Sequence, residues 1–166
     1  ARESAALTGV SADVREGSLF SPVAGEQFDL IVSNPPYVMS PPAKDSSTLT
    51  YRETNFTGDG LLQAILRDAP AHLAPGGSLQ LLTNWAILDG QEWDERIRSQ
   101  VTPLNLDVWV IERERLDKYS YIEMWLADAG LAGTPEWRPA YERWLEYFAE
   151  LRIAEVGMGW ILVTDA

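Results

Sequence analysis

Phe28-Asp29-Leu30-Ile31-Val32-Ser33-Asn34-Pro35-Pro36-Tyr37 is the stretch on which the fold turns. Its apolar residues run together instead of alternating, the pattern of a parallel strand covered on both faces. The strand stops at Asn34. Ligands of open α/β sheets bind beyond the carboxyl ends of the strands, and that is where Asn34 is predicted to stand. Pro35 and Pro36 fix φ and restrict the residue before them, which holds Asn34 in a rigid, extended pose. Prolines lack N–H groups, so their carbonyls are left as acceptors, and Tyr37 offers a ring against which a flat group can stack. An Asn carbonyl and a neighbouring backbone carbonyl, aimed at one spot, suit a planar NH₂. Such a nitrogen, in an amide or on a nucleobase, is a poor nucleophile because its lone pair is delocalised. Accepting both N–H hydrogens orients the lone pair toward an electrophile and favours its localisation, with no nucleophilic side chain needed.

Upstream, Arg2 to Leu7 reads as a helix that stops at Thr8-Gly9. Val10 to Arg15 is a short strand candidate, followed by the turn-rich run Glu16 to Pro22. Downstream, residues 38–57 read as a loop. Leu61, Leu62, Ile65, Leu66, Ala69 and Leu73 then keep helical spacing, with a bend near Pro70. Ala74-Pro75-Gly76-Gly77 is a predicted turn and Ser78 to Thr83 a strand. A helix around Glu92 to Val101 leads to a strand at Leu106 to Ile111. Helices over Asp117 to Ala129 and Pro139 to Ile153 precede a last short strand, Gly159 to Thr164, expected to lie antiparallel at or near an edge. The alternation of strands and helices indicates an α/β layered sheet. No second-domain linker or internal repeat interrupts residues 1–166.

Composition narrows the chemistry. The 166 residues contain no Cys and one His, His72, which excludes thiolate nucleophiles, disulfides and multi-His metal sites. With 25 acidic residues against 13 Lys and Arg, the net charge is −12, which argues against generic binding to a phosphate backbone. No apolar run approaches the length that spans a bilayer, and Ala1 to Leu7 lacks the regions of a signal peptide, so a cytoplasmic protein is expected.

Phe28 to Tyr37 resembles motif IV of the class I S-adenosylmethionine-dependent methyltransferases that act on planar nitrogens. It is very similar to the form found in release-factor glutamine (HemK-like) methyltransferases. Ala1 to Val10 resembles the helix after their second strand, and Val14 to Phe20 their third strand and adenine-side turn. Gly58-Asp59-Gly60-Leu61 and Leu73-Ala74-Pro75-Gly76-Gly77 resemble the helix and turn before their fifth strand. The resemblance is good over residues 1–85 and weak beyond them. It implies a Rossmann-like sheet, mostly parallel with an antiparallel final strand, and S-adenosylmethionine as cofactor. It also implies that Asn34 grips the target nitrogen, Pro35 and Pro36 supply acceptors and rigidity, and Tyr37 stacks. Gly17, Ser18 and Leu19 would contact the adenine, with Asn34 also on the cofactor side; Ser18 stands where the family usually carries Asp.

The family's Gly-rich loop and the acidic end of its second strand are not in the sequence. Gly58-Asp59-Gly60 and Gly157-Met158-Gly159 do not sit between a strand and a helix in the required order. The chain is therefore expected to be one incomplete catalytic domain, its N-terminal strands upstream of Ala1. A sheet edge left open in this way invites a homodimer.

The expected activity is methyl transfer to a planar nitrogen, with a protein glutamine favoured. A nucleobase amino group in RNA or DNA and a non-enzymatic interaction module are the alternatives. Asp29 is expected to be a structural acceptor, His72 a half-exposed helix-end residue, and Glu112 to Arg115 a solvated strand exit. The Tyr141/Trp144/Phe148 stripe is expected in the core, and Trp85 is a candidate for the pocket wall.

Overall fold

The computed structural model describes residues 2–42 and 56–165. The part of the predicted loop at residues 43–55 lies outside them. Helix α1 (Arg2–Thr8) ends at Gly9, whose φ of +68° is the left-handed conformation a glycine adopts most cheaply. Strand β1 (Phe28–Ser33) keeps the predicted bounds. Helix α2 (Gly60–Asp68) gives way to a 3₁₀ turn (Ala69–His72) at Pro70, which cannot donate to the preceding turn. Strand β2 (Leu73–Leu88) follows, then α3 (Glu95–Val101), β3 (Asp107–Asp117), α4 (Lys118–Asp128), α5 (Trp137–Glu150) and β4 (Ile153–Thr164).

The sheet order is β1-β2-β4-β3. β1 and β2 are parallel, while β4 is antiparallel to both of its neighbours, so β1, β2 and β3 run one way and β4 the other. This is the mostly parallel sheet with an antiparallel final strand that the sequence implied. The last strand has 12 residues and lies between β2 and β3, one position in from the edge. Residues 74–77 are accommodated as an irregularity in the β1–β2 ladder, between the pairs Phe28↔Leu73 and Leu30↔Ser78.

Three expectations are corrected. Val10 to Arg15 forms no strand; Arg15 there binds Asp13, Glu26 and the Pro22 carbonyl. Glu112 to Arg115 lies inside β3, where Arg115 donates to Glu112 at 2.8 Å. Asp29 is exposed and accepts no structural hydrogen bond among the described residues.

One sheet face carries Leu79, Leu81, Trp85, Ile161 and Val163 and packs under α2 and α3. On the other face α4 and α5 cover the far ends of β2, β3 and β4, enclosing Ala86, Tyr121, Trp144, Phe148 and Val156. The predicted aromatic stripe of α5 is part of this core. The nearer end of that face exposes Leu30, Val32, Trp109, Ile111 and Trp160. The outer edge of β1 has no strand paired to it among the described residues.

Candidate active site

The site begins where β1 ends. Ser33 pairs with Leu81 of β2, so Asn34 stands just beyond the carboxyl end of β1 while β2 continues through Thr83 and Asn84. Asn34 is exposed, and its side-chain amide has no hydrogen-bond partner among the described residues. Its oxygen is free to accept from a ligand.

Pro35, Pro36, Tyr37 and Val38 wall a cleft beside it. Gly58, Asp59, Leu61 and Leu62, at the start of α2, form the facing wall, and Thr83 and Asn84 complete it. The structure thus brings Pro35, Pro36 and Tyr37 together at the sheet's carboxyl end, while Asn34, the residue before them, is exposed and does not line the cleft. Gly17, Ser18 and Leu19 do not line this cleft. The Ser18 amide donates to Ser21 Oγ at 3.2 Å, and a Cβ on Gly17 would lie 2.3 Å from the Pro22 ring. Leu19 lines a separate cavity with Pro22 and Phe28, by the entry to β1.

Leu19 nonetheless has two features of a ligand contact. Its φ is +47°, strained for a branched side chain, and that side chain is left exposed.

Asp59 is the most heavily bonded group of the site, although in the sequence it stands out only as part of a family-like helix start. Oδ1 accepts from Gln63 Nε2 at 3.0 Å and Arg96 Nη2 at 2.7 Å. Oδ2 accepts from the Ala86 amide at 3.2 Å, Arg96 Nε at 2.9 Å and Gln100 Nε2 at 3.2 Å. The carboxylate thereby ties α2, α3 and β2 together. Burial works to raise its pKa, but the hydrogen bonds and charge of Arg96, with the Ala86 amide and Gln100, outweigh that and hold it below the usual carboxylate range. A carboxylate so engaged is a brace and not a proton carrier. The sequence signal was the pair Arg96 and Gln100, four residues apart on one face of α3 next to buried Ile97.

A folded pKa below the unfolded one means that stability from Asp59 is complete above about pH 4 and is lost as the pH falls through the folded value. Asp59→Asn is expected to cost about 2 kcal/mol at neutral pH, because charge-assisted bonds are lost. Below pH 4 the difference from wild type should shrink. Denaturant titrations of the full-length protein across this range check it, and a pH-independent difference would contradict it.

Other candidates resolve as structure. His72 is buried, stacked on Phe20 with ring centroids 4.7 Å apart, its Nδ1 lying 2.9 Å from the Glu26 carbonyl oxygen; it is not half-exposed. Trp85 is fully buried and is no pocket wall. A Cβ on Gly157 would fall 2.4 Å from the Trp85 indole, so this glycine makes room for the ring.

Residues 1–89, more than half of the chain, match the family model of the methyltransferase small domain. The chain belongs to this family. Among the relatives of this methyltransferase domain is a release factor glutamine methyltransferase of Xylella fastidiosa, 43% identical over 77 residues, covering 43% of the chain and 28% of the relative. A release factor glutamine methyltransferase of Deinococcus radiodurans is 40% identical over 90 residues, covering 49% and 31%. A ribosomal protein uL3 glutamine methyltransferase of Bradyrhizobium diazoefficiens is 36% identical over 73 residues, covering 40% and 23%. The chain thus spans under a third of the length of these relatives. Among solved structures, a putative sarcosine dimethylglycine methyltransferase from Galdieria sulphuraria aligns with 99% of the chain and 64% of its own, at 16% identity and a TM-score of 0.47.

Proposed function

We propose that this chain is the acceptor-binding part of an enzyme that methylates a planar nitrogen, with a protein glutamine amide as the favoured acceptor. The observation that carries the reading is Asn34: an exposed amide with no partner among the described residues, just beyond a parallel strand and directly before the two prolines that line a cleft. The Asn34 side-chain oxygen and the Pro35 carbonyl accept the two N–H hydrogens of the incoming NH₂. That pairing turns the nitrogen lone pair toward the electrophile and favours charge building on nitrogen. Tyr37 stacks on the flat group. Among the described residues, the bonds already made to Asp59 leave no free carboxylate on the cleft wall; the nitrogen's surplus proton leaves to water.

S-adenosylmethionine, when bound, supplies an electrophilic methyl group. Gly17, Ser18 and Leu19 are assigned to its adenine end; the strained, exposed Leu19 gives an aromatic ring an apolar face. Asn34 is shared between cofactor and acceptor. Because Ser18 brings a hydroxyl and no charge, Ser18→Ala is expected to weaken cofactor binding less than tenfold, read by calorimetry on the full-length protein. A larger loss would mean that the hydroxyl is a principal contact.

Two of the relatives above are named for release factors and one for ribosomal protein uL3, which supports a protein acceptor, as does the net charge of −12. The test offers a bacterial release factor, uL3 and total RNA in parallel to the full-length protein with tritiated S-adenosylmethionine. Label in one of the proteins is expected. Label in RNA alone would turn the reading to the nucleobase alternative.

A further inference from the structure

The helical pair α4–α5 lies beyond the 1–89 match, yet it reaches back into the cleft at two points. On α4, the fully buried Tyr121 hydroxyl accepts from the Met39 amide at 3.2 Å and from Asn84 Nδ2 at 2.9 Å. On α5, the Tyr147 hydroxyl accepts from the Gly58 amide at 2.9 Å. Met39 follows the wall that starts at Pro35, and Gly58 opens the facing wall. Asn84 belongs to the cleft as well. Gly58 has a φ of +57°, and a Cβ there would lie 3.4 Å from Leu151, so the chain passes closely over the end of α5 as it enters this contact.

The two tyrosines therefore hold the Gly58 N–H of one wall and the Met39 N–H directly after Val38, the last residue of the other, at the two ends of residues 40–57. Neither bond is needed to bury the rings, which pack in the second core with Trp144 and Phe148. Each hydroxyl instead fixes main chain that would otherwise slide on an apolar surface.

We propose that Tyr121 and Tyr147 are positioning residues, through which α4 and α5 set the separation of the cleft walls and so select the acceptor that lies between them. The proposal rests on the acceptor-binding reading above. The selectivity of the site would then reside in a helical pair outside the family match, acting through two backbone hydrogen bonds and not through a side chain that touches the acceptor.

The test uses Tyr121→Phe and Tyr147→Phe in the full-length protein, which keep the ring volume and remove only the hydroxyl. Amide exchange is read first. Tyr121→Phe is expected to speed exchange at Met39 at least tenfold and leave Gly58 unchanged, and Tyr147→Phe to do the reverse. Kinetics follow with the release factor or uL3, whichever the wild type methylates. The acceptor KM should rise about tenfold, with kcat and the Kd for S-adenosylmethionine changed less than twofold. A merely structural role would lower stability and leave the KM unmoved, and that result overturns the proposal, as do unchanged exchange rates. Should Tyr121→Phe fail to fold, Tyr147→Phe decides, since its hydroxyl has one partner to lose. A wild type that methylates neither protein contradicts the glutamine reading separately, and the exchange rates then decide whether the clamp exists.

Discussion

Asn34→Ala in the full-length protein is expected to lower turnover about a thousandfold while leaving the affinity for S-adenosylmethionine within a few-fold of wild type. The magnitude follows from the role. An acceptor aimed at charge that develops only in the transition state acts like a preorganised oxyanion-hole donor, whose removal typically costs 10²–10³ in rate, about 3–4 kcal/mol of barrier. Asn34 is exposed and unpartnered among the described residues, so its truncation leaves no cavity and breaks no internal bond. The loss should therefore appear in kcat, with the unfolding free energy unchanged. Single-turnover methyl transfer and calorimetric cofactor titration on the same preparation measure the two quantities. Equal turnover in mutant and wild type would remove Asn34 from the chemistry.

Gly159→Ala is expected to produce the largest stability loss, about 3 kcal/mol, at the upper end of what overpacking costs. Gly159 sits in β4 between Thr83 of β2 and Glu112 of β3. The β3–β4 ladder shifts register between Glu112 and Glu114, and the displaced main chain presses onto this position. A Cβ there would lie 1.9 Å from the Ile111 carbonyl oxygen and 3.0 Å from the Arg113 amide nitrogen. Both are backbone atoms, so relief requires β3 to move away from β4. Denaturant unfolding of the full-length protein gives the number. Wild-type stability would mean that the strands separate at no cost, which the paired register on either side opposes.

Both predictions concern residues that the sequence made visible to different degrees. Asn34 could be read because two successive prolines and an abrupt strand end are local signals, carried within ten residues. The same locality made Phe28–Ser33 legible and placed helices near their observed positions. Gly159 was legible only as something that is not a phosphate loop, because its reason is the backbone of a neighbouring strand nearly fifty residues earlier. The extents of β3 and β4 were underestimated for a related reason. Once Arg115 pairs with Glu112 and Gly157 gives room to Trp85, the ladder continues through sequence that shows no strand periodicity.

Long-range polar bonds were the least accessible. Tyr121 finds its partner 82 residues back at Met39, Tyr147 reaches 89 residues back to Gly58, and Arg96 lies 37 residues from Asp59. For the two tyrosines the sequence shows a polar group among apolar neighbours and gives no sign of its partner. Val10 to Arg15 is the converse: its composition suits a strand, but no strand forms there.

Tandem mass spectrometry of the acceptor modified by the full-length protein locates the added methyl group. The expected result is one methyl group on the side-chain amide nitrogen of a glutamine, absent when Asn34→Ala replaces the wild type. A methyl group on a hydroxyl, a thiol or a lysine amine would contradict it, because a pair of carbonyl acceptors built around a planar NH₂ has no function at such an atom.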